Sequence, residues 1–139
     1  MIQEEYVKFE TAKLLNEKGF KEPCKAWYGE YKSLYGSGTH VVIEFDDENR
    51  FEQNYRYLFG APTQALAMKW LREEKHYYIQ IMLDSWALGG HSGYYIVIQD
   101  INSDFEEVSP AVNDNDDVFF KTYEEAAEAA IKYVLEKLV

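Results

Sequence analysis

Arginine is scarce in this chain. There are three (Arg50, Arg56 and Arg72), and the lysines form no basic run. A protein that grips a nucleic-acid backbone needs Lys and Arg to displace counterions from phosphates, so direct backbone binding is disfavoured. The same electrostatics disfavour an anionic membrane surface. Cysteine occurs once, at Cys24, which excludes an internal disulfide. Long apolar runs are missing too. A stretch such as Tyr94–Ile98 has strand length, far short of the roughly 20 residues a membrane span needs. The opening MIQEEYVKFE lacks the basic and then apolar pattern of a signal peptide. With a lone cysteine, that makes the cytoplasm the expected compartment.

What is present is apolar surface and acid. In 139 residues, 47% are hydrophobic, enough for a sizeable core, and the length is that of one domain, 1–139. Acids outnumber bases 25 to 14, giving a net charge of −11. The excess is concentrated: between Asp100 and Glu128 stand ten acids and the single base Lys121. Aromatic residues reach 17%. Tyr and Trp bury large areas while keeping a polar tip, and both are enriched in interfaces.

Periodicity organises the chain. Apolar Val7, Phe9, Ala12, Leu14 and Leu15 recur at helical spacing over 5–18. Gly19 then fits a left-handed C′ position, with Phe20 supplying the apolar contact of a Schellman motif. Residues 24–32 and 39–46 alternate as strands of a hairpin, and polar 46–54 reads as a loop. A second helix is expected to start near Pro62; its apolar arc, from Ala65 to Leu71, is wide, so it is expected to be the most buried helix. Strands follow at 76–83 and 94–100, joined by a glycine-containing connection, and a long acidic loop spans 102–120. Thr122 and Glu125 have capping-box spacing, ahead of an apolar face of Tyr123, Ala127, Ala130, Ile131, Val134 and Leu138. A candidate αββ repeat aligns Ser37–Glu44 with Ser92–Gln99, giving copies at 5–46 and 61–100 with a closing helix at 122–138.

No constellation of reactive groups emerges. His40, His76 and His91 lack the short spacing of zinc ligands. Cys24 follows Pro23 at a strand start, away from the helix N-terminus that would activate a thiol. Asp114, Asp116 and Glu125 echo a calcium loop, but Val118 and Phe119 stand where that loop needs an oxygen ligand and a glycine. The stretch Trp86–Gly93 joins two strands and has no lysine, unlike a phosphate-cradling loop. No catalytic, cofactor or metal residue is therefore assigned. Trp86 and Leu88, on an expected hairpin tip, and Tyr55, Tyr57 and Phe59, in an aromatic cluster with Phe51 within a segment otherwise read as loop, are candidates for contact with a protein partner or a second copy. Asp104, Glu106, Glu107, Asp114, Asp116 and Asp117 form a candidate acidic surface.

Three stretches, Tyr6–Phe20, Ala61–Glu73 and Thr122–Glu128, together resemble a family of small uncharacterised proteins encoded by bacteriophages, prophages and related mobile elements of gut anaerobic bacteria. The resemblance implies a Ser capping the first helix where this chain has Lys8. It implies a bacterial or phage cytoplasmic protein and carries over no catalytic residue.

The expected fold is a single α+β domain of order αββαββα, with a mainly antiparallel four-stranded sheet and helices packed on it. The expected role is that of a non-enzymatic phage or prophage accessory protein acting through protein–protein contacts. The alternative is an acidic mimic of nucleic acid that occupies a host DNA-binding protein.

Overall fold

The structure is a computed structural model that describes residues 2–31, 40–44, 55–88, 91–110 and 119–139, with the backbone alone at 31, 40, 43, 55, 85–88, 91 and 92. Its elements run α1 (Phe9–Glu17), β1 (Ala26–Tyr31), β2 (His40–Glu44), β3 (Tyr55–Gly60), α2 (Gln64–Glu74), β4 (Tyr77–Leu88), β5 (His91–Asp100), β6 (Glu106–Glu107) and α3 (Tyr123–Tyr133). A π-helical turn, Val134–Leu138, extends α3. These form two compact units, Met1–Thr63 and Gln64–Val139. The class is mixed α and β with antiparallel pairing, as expected, but the four-stranded sheet is not found. Two three-stranded sheets stand in its place, ordered β2-β1-β3 and β4-β5-β6.

In the first unit, β1 is central and pairs with β2 on one side and β3 on the other. The third strand was expected to be loop. Aromatic and aliphatic Tyr55, Tyr57, Leu58 and Phe59 favour a pleated, half-buried surface, and β1 supplies the free edge for them. The ladder slips between Tyr28 and Gly29, which leaves Leu58 without an opposite residue and bends the strand. Phe59 is buried against Phe9 and Tyr28, with ring centroids 5.3 and 6.1 Å away. The Tyr28 hydroxyl donates to the Val7 carbonyl.

Helix α1 starts at Phe9, four residues later than the expected start at residue 5. Lys8 at the N-cap has no side-chain capping bond, and the Val7 N–H is already bonded to the Pro62 carbonyl at 3.0 Å. The helix end follows the sequence closely. Gly19 has φ +99°, its N–H donates to the Asn16 carbonyl, and Phe20 N–H reaches back to Leu15. That is the Schellman pair, closed by buried Phe20 and Leu15.

In the second unit, α2 and α3 pack on one face of the β4–β5 ladder. Buried Ala67, Trp70 and Leu71 from α2 join Ala126, Ala127, Ala130, Ile131, Val134 and Leu135 and the sheet residues Ile79 and Ile98. The last helix, not the second, contributes the longer buried stripe. Pro62 lies outside α2, which begins at Gln64. Among the described residues of this unit, Gln64 is the one buried amide. Its Nε2 donates to the Glu124 carbonyl at 2.9 Å and to Glu128 Oε2 at 3.2 Å, tying α2 to α3. The capping expectation holds, since Glu125 N–H donates to Thr122 Oγ1 at 3.1 Å.

Each unit does begin with a helix followed by three antiparallel strands. The repeat nevertheless fails at the level of the sheet. The central strand is the first of its three in one unit and the second in the other, so matched sequence segments occupy different places.

Two substitutions test these anchors. Gly19→Ala meets open space but inherits φ +99°, so the loss is conformational, about 1–2 kcal/mol. Gln64→Ala leaves Glu128 and a backbone carbonyl without this donor, at a cost of about 1–3 kcal/mol. Both should lower the urea midpoint, and an unchanged midpoint would refute the corresponding assignment.

Candidate interaction surface

Side chains alternate across a strand, so the β4–β5 ladder sorts its residues into two sets. Tyr77, Ile79, Ile81 and Leu83 share a face with their partners Asp100, Ile98, Ile96 and Tyr94. This is the helix-covered face. Tyr77 donates its hydroxyl to the Leu138 carbonyl at 3.2 Å, and Tyr94 meets Tyr123 edge-on at 6.2 Å. The other face carries Tyr78, Gln80, Met82, Tyr95, Val97 and Gln99. Here Tyr78 and Met82 are 37% and 39% exposed. Leu83, at the far end of the covered face, is 57% exposed. Three of the exposed large apolar side chains thus belong to one strand.

The open face is ordered by its own contacts. Gln80 Nε2 donates to Gln99 Oε1 at 3.3 Å, and Gln99 Nε2 reaches the Phe105 carbonyl at 3.5 Å. Phe119 meets Tyr95 edge-on with centroids 6.1 Å apart.

The backbone of β5 is bonded on both sides. Away from β4, its Tyr94 exchanges two 2.8 Å bonds with Phe120, and Ile98 receives from Val108 and donates to Ser109 Oγ. In an antiparallel pair, groups turned outward on one strand belong to the non-hydrogen-bonded pairs with its neighbour. Ile79 and Leu83, opposite Ile98 and Tyr94, therefore turn their own N–H and C=O groups outward, as do Tyr77 and Ile81 by the same alternation. Among the described residues no strand pairs with that outer edge of β4. From Tyr77 to Leu83 it carries no charge and no proline.

The residues expected to make contacts fare differently. Trp86 and Leu88 belong to β4 rather than to a loop, since Leu88 pairs with His91 and only 89–90 intervene. The apolar alternation simply continues through a bulge beyond Asp84. Their side chains, and that of Tyr55, lie outside the described set. Phe59 is buried core and Tyr57 is half-buried. Sequence reasoning passed over Tyr78, Met82 and Leu83 because a strand pattern does not say which face is covered.

The acidic stretch is also partly structured. Asp100 caps a 3₁₀ turn at 101–103, accepting from Asn102 N–H at 3.0 Å. Asp104 and Phe105 adopt left-handed conformations, with φ 57° and 59°. Glu106 and Glu107 form β6 on the β5 edge, where a loop was expected. Both are exposed but point to opposite faces. Asp114, Asp116 and Asp117 lie outside the described residues.

Cys24 is half-buried, and its thiol donates to the Glu22 carbonyl at 3.4 Å. Gly60 passes so close that a Cβ there would sit 2.9 Å from Cys24 Sγ. Among the described residues no group of three or more His, Cys, Asp or Glu could hold a metal ion, and no helix is long and apolar enough to cross a membrane. Set against known proteins, the chain matches no family model, no curated protein and no solved structure.

Burial and then the Glu22 carboxylate raise the Cys24 thiol above its ordinary range. The folded state favours the neutral thiol, so its contribution to stability is present below the usual thiol pKa and lost as pH rises through the raised value. Alkylation by iodoacetamide should accordingly be slower in the native than in the urea-unfolded chain between about pH 7 and 9. Equal rates throughout would refute this.

Proposed function

We propose that this chain is a non-enzymatic accessory protein of a phage or prophage, acting in the bacterial cytoplasm through protein–protein contacts made by the open face of the β4–β5 ladder. The observation that carries the reading is the grouping of exposed Tyr78 and Met82 with Tyr95 and Val97 on a face ordered by its own hydrogen bonds. Large apolar side chains grouped on one surface and rimmed by polar ones mark contact sites. Amphipathic tyrosine suits a surface that must be soluble when free and dry when bound. The phage or prophage setting rests on the resemblance of the three sequence stretches.

The acidic-mimic reading is weaker. A mimic of phosphates needs carboxylates in a regular row on one rigid surface, and adjacent Glu106 and Glu107 on β6 point to opposite faces.

Capture from bacterial lysate, with and without phage induction, tests the reading. The baits are the wild-type chain and a Tyr78→Lys, Met82→Lys double variant with unchanged circular dichroism. The expected result is a specific protein retained by the wild type at high salt and lost by the variant, because apolar contacts are not screened as exposed charge pairs are. Equal capture by both baits, or none by either, would overturn it.

A further inference from the structure

We infer that the outer edge of β4 pairs with the β4 edge of a second copy of this chain, joining two sheets into one of order β6-β5-β4-β4-β5-β6 about a two-fold axis. The inference rests on the reading that this sheet works by protein contact, and it names a second copy as the partner of its edge.

Four observations converge on a second copy. The first is the backbone. Tyr77, Ile79, Ile81 and Leu83 turn their hydrogen-bonding groups outward, as the bonds of Tyr94 and Ile98 on the far side of β5 require. Exposed edges of this kind are templates for another strand, and natural proteins blunt them with charge or proline, both missing from Tyr77–Leu83.

The second is self-complementarity. A two-fold axis between antiparallel edges sets residues of the same face opposite one another. With Gln80 on the axis, Ile79 opposes Ile81 and Tyr77 opposes Leu83, and each of these pairs exchanges two backbone bonds. Tyr78 then opposes Met82, so the exposed side chains of the two copies adjoin and continue the open face from one sheet to the other. Leu83, 57% exposed in the single chain, is covered by Tyr77.

The third is charge at the ends. The uncharged stretch follows Lys75 and is followed by Asp84. Antiparallel pairing brings Asp84 of each copy to the end where the other carries Lys75. A parallel arrangement would put like with like.

The fourth is where the repulsion sits. Each copy carries −11, which opposes self-association. The acidic β6 lies on the far side of β5 from β4. In the joined sheet the two β6 strands are five strand spacings apart, about 24 Å, well beyond the roughly 8 Å screening length at physiological salt. Below physiological salt the net charge of each copy still repels, so the dimer should strengthen as salt is raised toward that level, whereas a complex held by acidic contacts would weaken.

The test uses the purified full chain alone, so that it fails separately from the partner reading. Light scattering after size exclusion, over a dilution series, should give a dimer for the wild type, with the dimer fraction rising as salt is raised toward the physiological level. Leu83→Pro removes one outward N–H and an exposed side chain while leaving the β4–β5 bonds in place, as proline at an edge can, and it should be monomeric. In a Cys24→Ser background, Gln80→Cys places a thiol on the axis in a non-hydrogen-bonded pair, whose Cα separation of about 4.5 Å is within disulfide reach. It should cross-link on mild oxidation, while Gln99→Cys should not. A wild type that stays monomeric throughout overturns the proposal, as does a dimer that survives Leu83→Pro without Gln80→Cys cross-linking. If the dimer fails while the Tyr78→Lys, Met82→Lys bait still loses its partner, the protein-contact reading stands without it.

Discussion

The second unit turns on a single constraint, the bonding of β5 on both of its sides. Bonds from Tyr94 to Phe120 and from Ile98 to Val108 and Ser109 fix which β5 residues face away from β4. Antiparallel geometry passes that parity on to β4. From it follow the set of side chains that can meet α2 and α3, the set left on the open face, and the row of backbone groups on the outer edge. A shift of one residue would exchange the two faces and bring Gln80 and Gln99 beneath the helices, where an amide without partners is costly. Burial of Ile79 and Ile98 under α3 and the outward row on β4 are two consequences of one register.

Much of the local structure was legible in the residues. The Gly19 and Phe20 helix end, the Thr122 cap and the alternation of β1, β2, β4 and β5 are written at short range, where one residue type satisfies one backbone need. Longer-range features were not. β3 was hidden because Tyr55–Gly60 runs on from a polar segment read as loop, and only the free edge of β1 makes a strand of it. β6 was hidden because two glutamates have poor strand propensity. It forms through its bonds to β5. Exposure was hidden for a related reason. Phe59 stands out by type and is buried, because exposure depends on which face is covered, and period alone does not say that.

Charge and apolar surface are segregated within this sheet. Asp100 and Asp104 flank the 3₁₀ turn after β5 and Glu106 and Glu107 form β6, while β4 stays uncharged from Tyr77 to Leu83. One strand edge is thus guarded by repulsion and the other left open. An even spread of acid would have protected both.

The remaining edges support a distinction among edges rather than general neglect of them. β2 is five residues long and ends at Glu44, whose Oε1 accepts from the Tyr6 hydroxyl at 3.0 Å. On β3, Arg56 pairs with Glu30 at 3.0 Å, placing charge beside the strand. On β6, both residues are glutamates. Each is short or charged, the devices by which sheets avoid unwanted pairing. β4 has twelve residues, is charged only at Asp84 and presents its outward row along an apolar stretch. Of the four sheet edges among the described residues, three are blunted and the β4 edge is not, which is read most simply as an edge that is used. With the acids held at the opposite margin of the sheet, the occupant that fits its row of bonds, its opposing apolar pairs and its oppositely charged ends is the same strand turned end for end.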